Sequence, residues 1–174
     1  LIMGANPAEN HPVSFRWVLK AKDRGAKVVC VDPRFTKSAS QADIYARLRS
    51  GTDIAFLGGM IKHILDNDLI HRDYVVQYTN AAFLVEDGFG FDPSTGVFSG
   101  FDEVRNAYDE KTWNYRYHRV DPDARPESMT PAQRAEHERV KALAEAREPM
   151  KDPTLADPNC VYQQLKKHFA RYDV

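Results

Sequence analysis

Three short stretches combine turn residues with polar side chains suited to gripping an anion and a base. They are Met3-Gly4-Ala5-Asn6-Pro7-Ala8-Glu9-Asn10, Asp32-Pro33-Arg34-Phe35-Thr36 and Gly51-Thr52-Asp53. Gly4 lets a backbone approach a phosphate closely. The helix start that follows, near residues 11–14, favours an anion through its unpaired N–H groups. Asn6 offers both a donor and an acceptor. Asp32 stands where a ribose-binding acid stands at a strand tip, and Arg34 suits a phosphate. The Asp53 carboxylate accepts two hydrogen bonds side by side. Guanine presents two such donors, its ring N–H and its exocyclic amine, and adenine does not.

Each corner also has a purely structural reading. Gly4-Ala5-Asn6-Pro7 reads equally as a turn, Asp32-Pro33 as a strand terminator, and Asp53 as a helix cap. Arg34 can pair with Asp32 or stay solvated. The functional reading gains its force from three such corners meeting at one place. No Gly-x-Gly-x-x-Gly is present, which counts against an ordinary NAD-binding domain. No Ser or Cys sits in a nucleophile elbow. The six histidines are scattered; His11 lies beside the first corner, and the others read as surface or helix-end residues. No His-x-x-x-His or Glu-x-x-His spacing points to a metal. The segment offers a binding surface without an evident catalytic group.

The corners need a scaffold, and the first third of the chain supplies one. Leu1–Ala5 reads as a strand end. The spacing predicts a helix over Val13–Arg24 with Val13, Trp17, Val18 and Ala21 on its apolar side, stopped by Gly25. Lys27–Val31 is a β-branched run suited to a parallel strand covered on both faces. Ser38–Asp43 reads as a short helix and Ile44–Leu48 as a third strand. Thr52 or Asp53 then caps a helix over Ile54–Leu65, and a shorter one covers Arg72–Tyr78. This alternation predicts an α/β fold with a parallel sheet and right-handed crossovers. Ligands of such sheets lie outside the carboxyl ends of the strands, which is where all three corners fall.

After Thr79 the character changes. Residues 80–130 mix glycines and prolines with many aromatics, too apolar for a disordered linker, and read as an ordered, loop-rich excursion. Thr130-Pro131 opens a charged helix to about Arg147 with Val140 and Leu143 as anchors. Pro149–Pro158 reads as a linker. Cys160–Tyr172 reads as an amphipathic helix with the apolar line Val161, Leu165 and Phe169. No internal repeat stands out. The expected organisation is a nucleotide-binding segment over 1–79, an insertion with a charged helix over 80–153, and a C-terminal amphipathic helix over 154–174.

The chain has 174 residues and a formal net charge of −1 at pH 7. That balance implies no broad attraction to nucleic acid or to an anionic membrane, and no apolar run is long enough to cross a bilayer. Of the two cysteines, Cys30 reads as a buried small residue and Cys160 lies near a helix start. A disulfide between them stays open, with no support from the spacing. Neither belongs to a Cys-x-x-Cys pair, so an iron–sulfur or structural zinc site within these residues is not expected.

The stretches "MGANPAENHPVSFRWV", "AKVVCVDPRFTKSASQADIYARLRSGTDIAFL" and "DPNCVYQQLKKHFARY" resemble the molybdopterin oxidoreductase family, and most of all the large subunit of respiratory, periplasmic formate dehydrogenases. The aromatic stretch "FLVEDGFGFDPSTGVFSGFDEVRNAYDEKTWNY" looks like the insertion of that branch. The resemblance covers nearly the whole chain but a small part of a family member. It implies a Rossmann-like domain with flanking helices, the loop-rich insertion and C-terminal helices. It also implies a place for one of two molybdopterin guanine dinucleotides, which together chelate molybdenum or tungsten. By position, Met3–Asn10 would wrap the phosphates, with Gly4, Asn6 and Glu9 nearest. Asp32, Pro33, Arg34, Phe35 and Thr36 would contact guanosine, and Gly51, Thr52 and Asp53 would complete the guanine pocket.

The family's N-terminal cysteine motif for an iron–sulfur cluster and its metal-ligating cysteine or selenocysteine are not in this sequence. The chain therefore reads as an internal segment: a truncated product, a frame broken at a selenocysteine codon, or an excised piece. The implied partners are the rest of the large subunit and an iron–sulfur β subunit, in the periplasm. The implied parent reaction is oxidation of formate to carbon dioxide, and the isolated segment is expected to lack it. An open sheet edge makes self-association an expected property. The alternatives are another molybdopterin enzyme, such as a nitrate reductase, or a non-catalytic nucleotide-binding or interaction module.

Overall fold

The structure, a computed structural model, describes residues 1–172. It has two compact units, Leu1–Gly58 and the residues from Gly59 onward. The first unit is built on a parallel sheet of strands β1 (Ile2–Met3), β2 (Val29–Val31) and β3 (Ile44–Ala46) in the spatial order β1-β2-β3. Ile2 is in register with Cys30, and Cys30 with Tyr45. Helices α1 (Pro7–Asn10) and α2 (Pro12–Asp23) fill the first crossover, and a 3-10 turn at Ala39–Gln41 lies in the second. The next helix, α3 (Asp53–Asp66), begins in this unit, and the division between units falls within it.

The central strand is the most deeply packed, as its β-branched composition leads one to expect: Cys30 and Val31 are fully buried. The amino end of the sheet is stitched by Asp43. Its carboxylate accepts the Val28 N–H at 2.8 Å and lies 3.7 Å from the Lys22 ammonium. The backbone hydrogen bond, followed by the charge of Lys22, lowers its pKa.

The apolar side assigned to α2 from spacing is corrected. Phe15 is the buried residue of the helix, at 4% exposure, whereas Val13 and Trp17 are 73% and 68% exposed. Residues two apart on a helix differ by about 200° in direction, so Val13 and Trp17 necessarily face away when Phe15 points inward. Val18 does lie partly buried with Leu19.

In the second unit α4 (Arg72–Tyr78) leads to Phe83–Val85, which acts as a hub. Phe83 pairs with Lys151, Leu84 with Cys160 and Val85 with Tyr115. The core joins Leu65, Ala81, Ala82, Leu84, Leu155, Cys160 and Tyr162. It thus draws on all three segments into which the sequence was divided.

Pro149–Pro158 is not a linker. Leu155, inside it, is 2% exposed. Asp152 folds the segment into a loop: its carboxylate accepts from the Thr154, Ala156 and Asp157 N–H groups at 2.8 Å each and from the Thr154 hydroxyl at 2.6 Å. Those donors hold its pKa down at about 2. Helix α5 (Pro131–Glu145) opens with the Thr130–Gln133 capping box. The last helix, α6 (Val161–Phe169), buries Tyr162 and Gln164; of the expected line, Val161 and Phe169 are partly buried, Phe169 against the core, and Leu165 is exposed. Cys30 and Cys160 are both unpaired thiols, and burial raises the pKa of each.

The aromatic excursion holds two antiparallel hairpins, β4–β5 (Phe91–Asp92, Val97–Phe98) and β6–β7 (Phe101–Asp102, Ala107–Tyr108). They reveal a repeat that the sequence reading missed. Gly90–Ser99 (GFDPSTGVFS) and Gly100–Asp109 (GFDEVRNAYD) carry the same plan. An Asp carboxylate accepts N–H groups of the turn in both. A left-handed residue closes each turn, Gly96 at φ 75° and Asn106 at φ 49°. Phe91 faces Phe98, and Phe101 faces Tyr108. Only Gly-Phe-Asp is literally shared, so the repeat lies in residue roles more than in identities.

Candidate functional site

Because β1, β2 and β3 are parallel and adjacent, the loops leaving their carboxyl ends occupy one edge of the sheet. These loops contain Gly4–Asn10, Asp32–Thr36 and the stretch to Asp53. The first two are tied directly. The Asn6 side-chain carbonyl accepts the Ser38 N–H at 3.1 Å and the Ser38 hydroxyl at 2.8 Å. The Ala8 N–H donates to the Ser38 hydroxyl oxygen at 3.0 Å. The Asn6 amide donates to the Glu9 carboxylate. Asn6 therefore spends its donor and its acceptor on protein groups and braces the first corner against the second. Ser38, fully buried at the centre of that brace, was read from sequence merely as the start of a short helix. Its only sequence signal is a hydroxyl shortly after the second corner.

Within the second corner, the Asp32 carboxylate accepts the Arg34 N–H at 2.8 Å through its Oδ1, and the Tyr45 hydroxyl donates to the Asp32 carbonyl at 2.8 Å. The loop is thus fixed through Asp32. Pro33, Arg34 and Phe35 project outward and are exposed. Phe35 stands edge-on to Tyr45 at 5.1 Å. The Arg34 guanidinium has no hydrogen-bond or ion-pair partner among the described residues. Thr36 is buried, and its hydroxyl accepts the Ala39 N–H at 3.1 Å, so it holds the loop from inside.

In the third corner Gly51 has φ 86°, and in the first Gly4 has φ 65°. A Cβ on either would meet nothing within 4 Å. Their demand within the chain is the left-handed conformation, not close packing. The Thr52 hydroxyl donates to the Arg49 carbonyl at 2.6 Å, and the Thr52 carbonyl accepts the Phe56 N–H at 3.0 Å. Asp53 is the acidic first-turn residue of α3 and is exposed, with no hydrogen-bond or ion-pair partner among the described residues. The rim thus divides its polar groups in two. Asn6, Ser38 and Thr36 are consumed in bracing. Arg34, Asp53 and the second oxygen of Asp32 are left without a partner among the described residues. Among the described residues no group of three or more His, Cys, Asp or Glu is placed to hold a metal ion.

A parallel α/β unit with polar loops at its carboxyl edge belongs to the class in which ligands lie outside the strand ends. Comparison with known proteins makes that class specific. Residues 1–143 match the molybdopterin oxidoreductase family, and the chain belongs to it. It is 44% identical over all its 174 residues to a formate dehydrogenase subunit alpha of Megalodesulfovibrio gigas, covering 14% of that protein. It is 42% identical over 173 residues to the nitrate-inducible formate dehydrogenase major subunit of Escherichia coli (strain K12), 99% of this chain and again 14% of the relative. Similarity to the assimilatory nitrate reductase catalytic subunit of Bacillus subtilis (strain 168) is 36% over 80 residues, 46% of this chain and 11% of the relative. The chain thus spans about a seventh of the length of the formate dehydrogenase subunits it matches.

Proposed function

We propose that this chain is part of a formate dehydrogenase large subunit, and that the carboxyl edge of its parallel sheet holds the guanosine end of a molybdopterin guanine dinucleotide. The end-to-end similarity to formate dehydrogenase subunits, against a half-length match to a nitrate reductase, supports the choice of branch. The partnerless Arg34 and Asp53 heads support the choice of edge.

In this reading the unit is Rossmann-like. Asp53 accepts the two guanine donors, Asp32 a ribose hydroxyl, and Arg34 faces phosphate. Pro33 and Thr36 shape the second loop, Gly51 and Thr52 the third. Gly4, Asn6 and Glu9 hold the phosphate loop, with Asn6 and Glu9 acting through their mutual bond. The bound pterins would carry molybdenum or tungsten and supply the redox chemistry by which formate becomes carbon dioxide. The chain's own residues bind and orient. The remaining large-subunit polypeptide and an iron–sulfur β subunit are the proposed partners, in the periplasm.

Calorimetry on the chain tests the pocket. GDP binds at least about tenfold more tightly than ADP, and Asp53→Asn erases the preference, because one of its two acceptors becomes a donor. Equal affinity for the two nucleotides, or a preference that survives Asp53→Asn, overturns the guanine assignment. The chain alone is proposed to be inactive. Formate oxidation by purified chain supplied with metal and pterin would refute that.

A further inference from the structure

A cavity of about 560 Å³ lies in the second unit, walled by aromatics that include Phe89, Phe98 and Trp113. On the neighbouring α6, the Gln164 carbonyl oxygen and the His168 Nδ1 are buried without a partner among the described residues. Both atoms are closed off from solvent. The first unit is different. Its open groups are charged and accessible, and the loop after β3 adds two that nothing above uses, Arg47 and Arg49.

Both arginines lie beyond the carboxyl end of β3 and both are exposed. Val31 pairs with Ala46, and the Asp32 N–H donates to the Ala46 carbonyl at 3.3 Å. One step further, Arg47 follows Ala46 as Asp32 follows Val31, so the two stand alongside each other at the rim. Tyr45 marks the face. Its hydroxyl donates to the Asp32 carbonyl, and its ring stands edge-on to Phe35. Side chains two apart on an extended chain share a face, so Arg47 continues the face on which Tyr45 reaches the second loop. Arg49 is placed by a turn. Its carbonyl accepts both the N–H and the hydroxyl of Thr52, at 3.1 and 2.6 Å. Such a turn keeps its first and last residues within about 7 Å, so Arg49 stands at the third corner, next to Asp53.

Neither guanidinium has a hydrogen-bond or ion-pair partner among the described residues. With Arg34, the second and third corners carry three such heads against two carboxylates, Asp32 and Asp53. The unit around them is basic. Residues 1–58 contain nine Lys and Arg against five Asp and Glu, although the whole chain has a formal net charge of −1. This excess favours an anion in the first unit. A guanidinium pairs with phosphate two oxygens at a time. Heads arriving from separate loops are served better by an anion with two phosphorus centres than by one.

We propose that Arg47 and Arg49 are phosphate-binding residues acting with Arg34, and that the rim selects a nucleoside diphosphate group over a monophosphate. The inference rests on the nucleotide reading of this edge but not on the choice of base, which falls to Asp53.

The test is calorimetry on the chain with GDP, GMP, ADP, AMP and inorganic pyrophosphate in magnesium-free buffer. GDP binds at least about tenfold more tightly than GMP. Arg47→Gln and Arg49→Gln each weaken GDP and pyrophosphate by at least about fivefold and narrow the ratio of GDP to GMP affinity. Arg24→Gln, at the far end of α2, removes the same charge and leaves all affinities unchanged. The exchanged side chains are exposed, and an unaltered Trp17 emission shows that the unit is intact. GDP and ADP binding alike, each about tenfold over its monophosphate, would remove the guanine assignment and uphold this one. GDP binding no tighter than GMP, affinities unchanged in both rim variants, or an equal loss in Arg24→Gln overturns the proposal.

Discussion

The rim of the first unit and the cavity of the second are opposite ways of leaving chemistry open. At the rim, short side chains near the turns satisfy the backbone: Asn6 holds Ser38, Asp32 holds the Arg34 N–H, and Thr36 holds the Ala39 N–H. Charged heads are then left facing solvent. In the cavity, aromatic packing between distant segments shapes the space, and the open groups are neutral and buried. An exposed charge waits for a ligand at little cost. A buried amide oxygen waits at considerable cost. The rim's open groups are therefore the accessible ones, whereas those beside the cavity are closed off from solvent.

Each unit carries one of the two tryptophans, Trp17 and Trp113, so substitutions can be read unit by unit. The largest effect is expected at the start of the second hairpin. Gly100 has φ 85°, and a Cβ there would lie 2.2 Å from the Asp109 carbonyl oxygen, a backbone atom that cannot swing away. Gly100→Ala should cost about 3 kcal/mol or more. It should disperse the Trp113 signal, because Ser99 next door accepts the Trp113 indole N–H. At the glycine that closes the turn of the other hairpin a milder result is expected. A Cβ on Gly96 meets only the Arg171 guanidinium, at 3.6 Å, and Gly96→Ala should cost about 1 kcal/mol. Equal costs in denaturant titrations would mean that the two hairpins are packed alike.

The rim counterpart is Asn6→Ala. It removes both acceptor bonds to the buried Ser38 and should destabilise the first unit by about 2 kcal/mol. The loss should appear in the Trp17 transition and leave Trp113 unchanged. A loss of less than about 0.5 kcal/mol would show that the two corners hold without the brace.

The same comparison explains what the sequence disclosed. The strands and α3 were legible because β-branched runs, Gly25 and the Gly51–Asp53 start act locally. The rim residues were legible as turn chemistry, but the division between braces and open heads was not. It depends on Ser38, more than thirty residues from Asn6. The inward face of α2 was misread because Trp17 is the largest apolar residue there, yet Phe15 is the residue the fold buries. Pro149–Pro158 looked like a linker because its order comes from Asp152 and from pairing with Phe83 and Tyr117. His168 looked like a surface histidine. Only the fold brings Phe91 and Phe98 against it.

That histidine offers the smallest test and the one most particular to the cavity. Burial first, and the Arg171 charge second, lower its pKa from the usual value near 6.5. A lowered pKa on a base means that the folded state disfavours the proton. Below about pH 6.5 the unfolded chain takes up a proton that the folded chain resists, so the stability of the second unit falls as the pH drops from there. The loss is complete once the pH passes below the folded pKa. Above pH 6.5 His168 contributes no slope. In denaturant titrations followed at Trp113, the slope between pH 7 and pH 5 should flatten in His168→Phe, which cannot be protonated. The Trp17 transition should be identical in both proteins, because Trp17 belongs to the other unit. A slope at Trp113 that persists undiminished in His168→Phe would show that the buried imidazole is not its source.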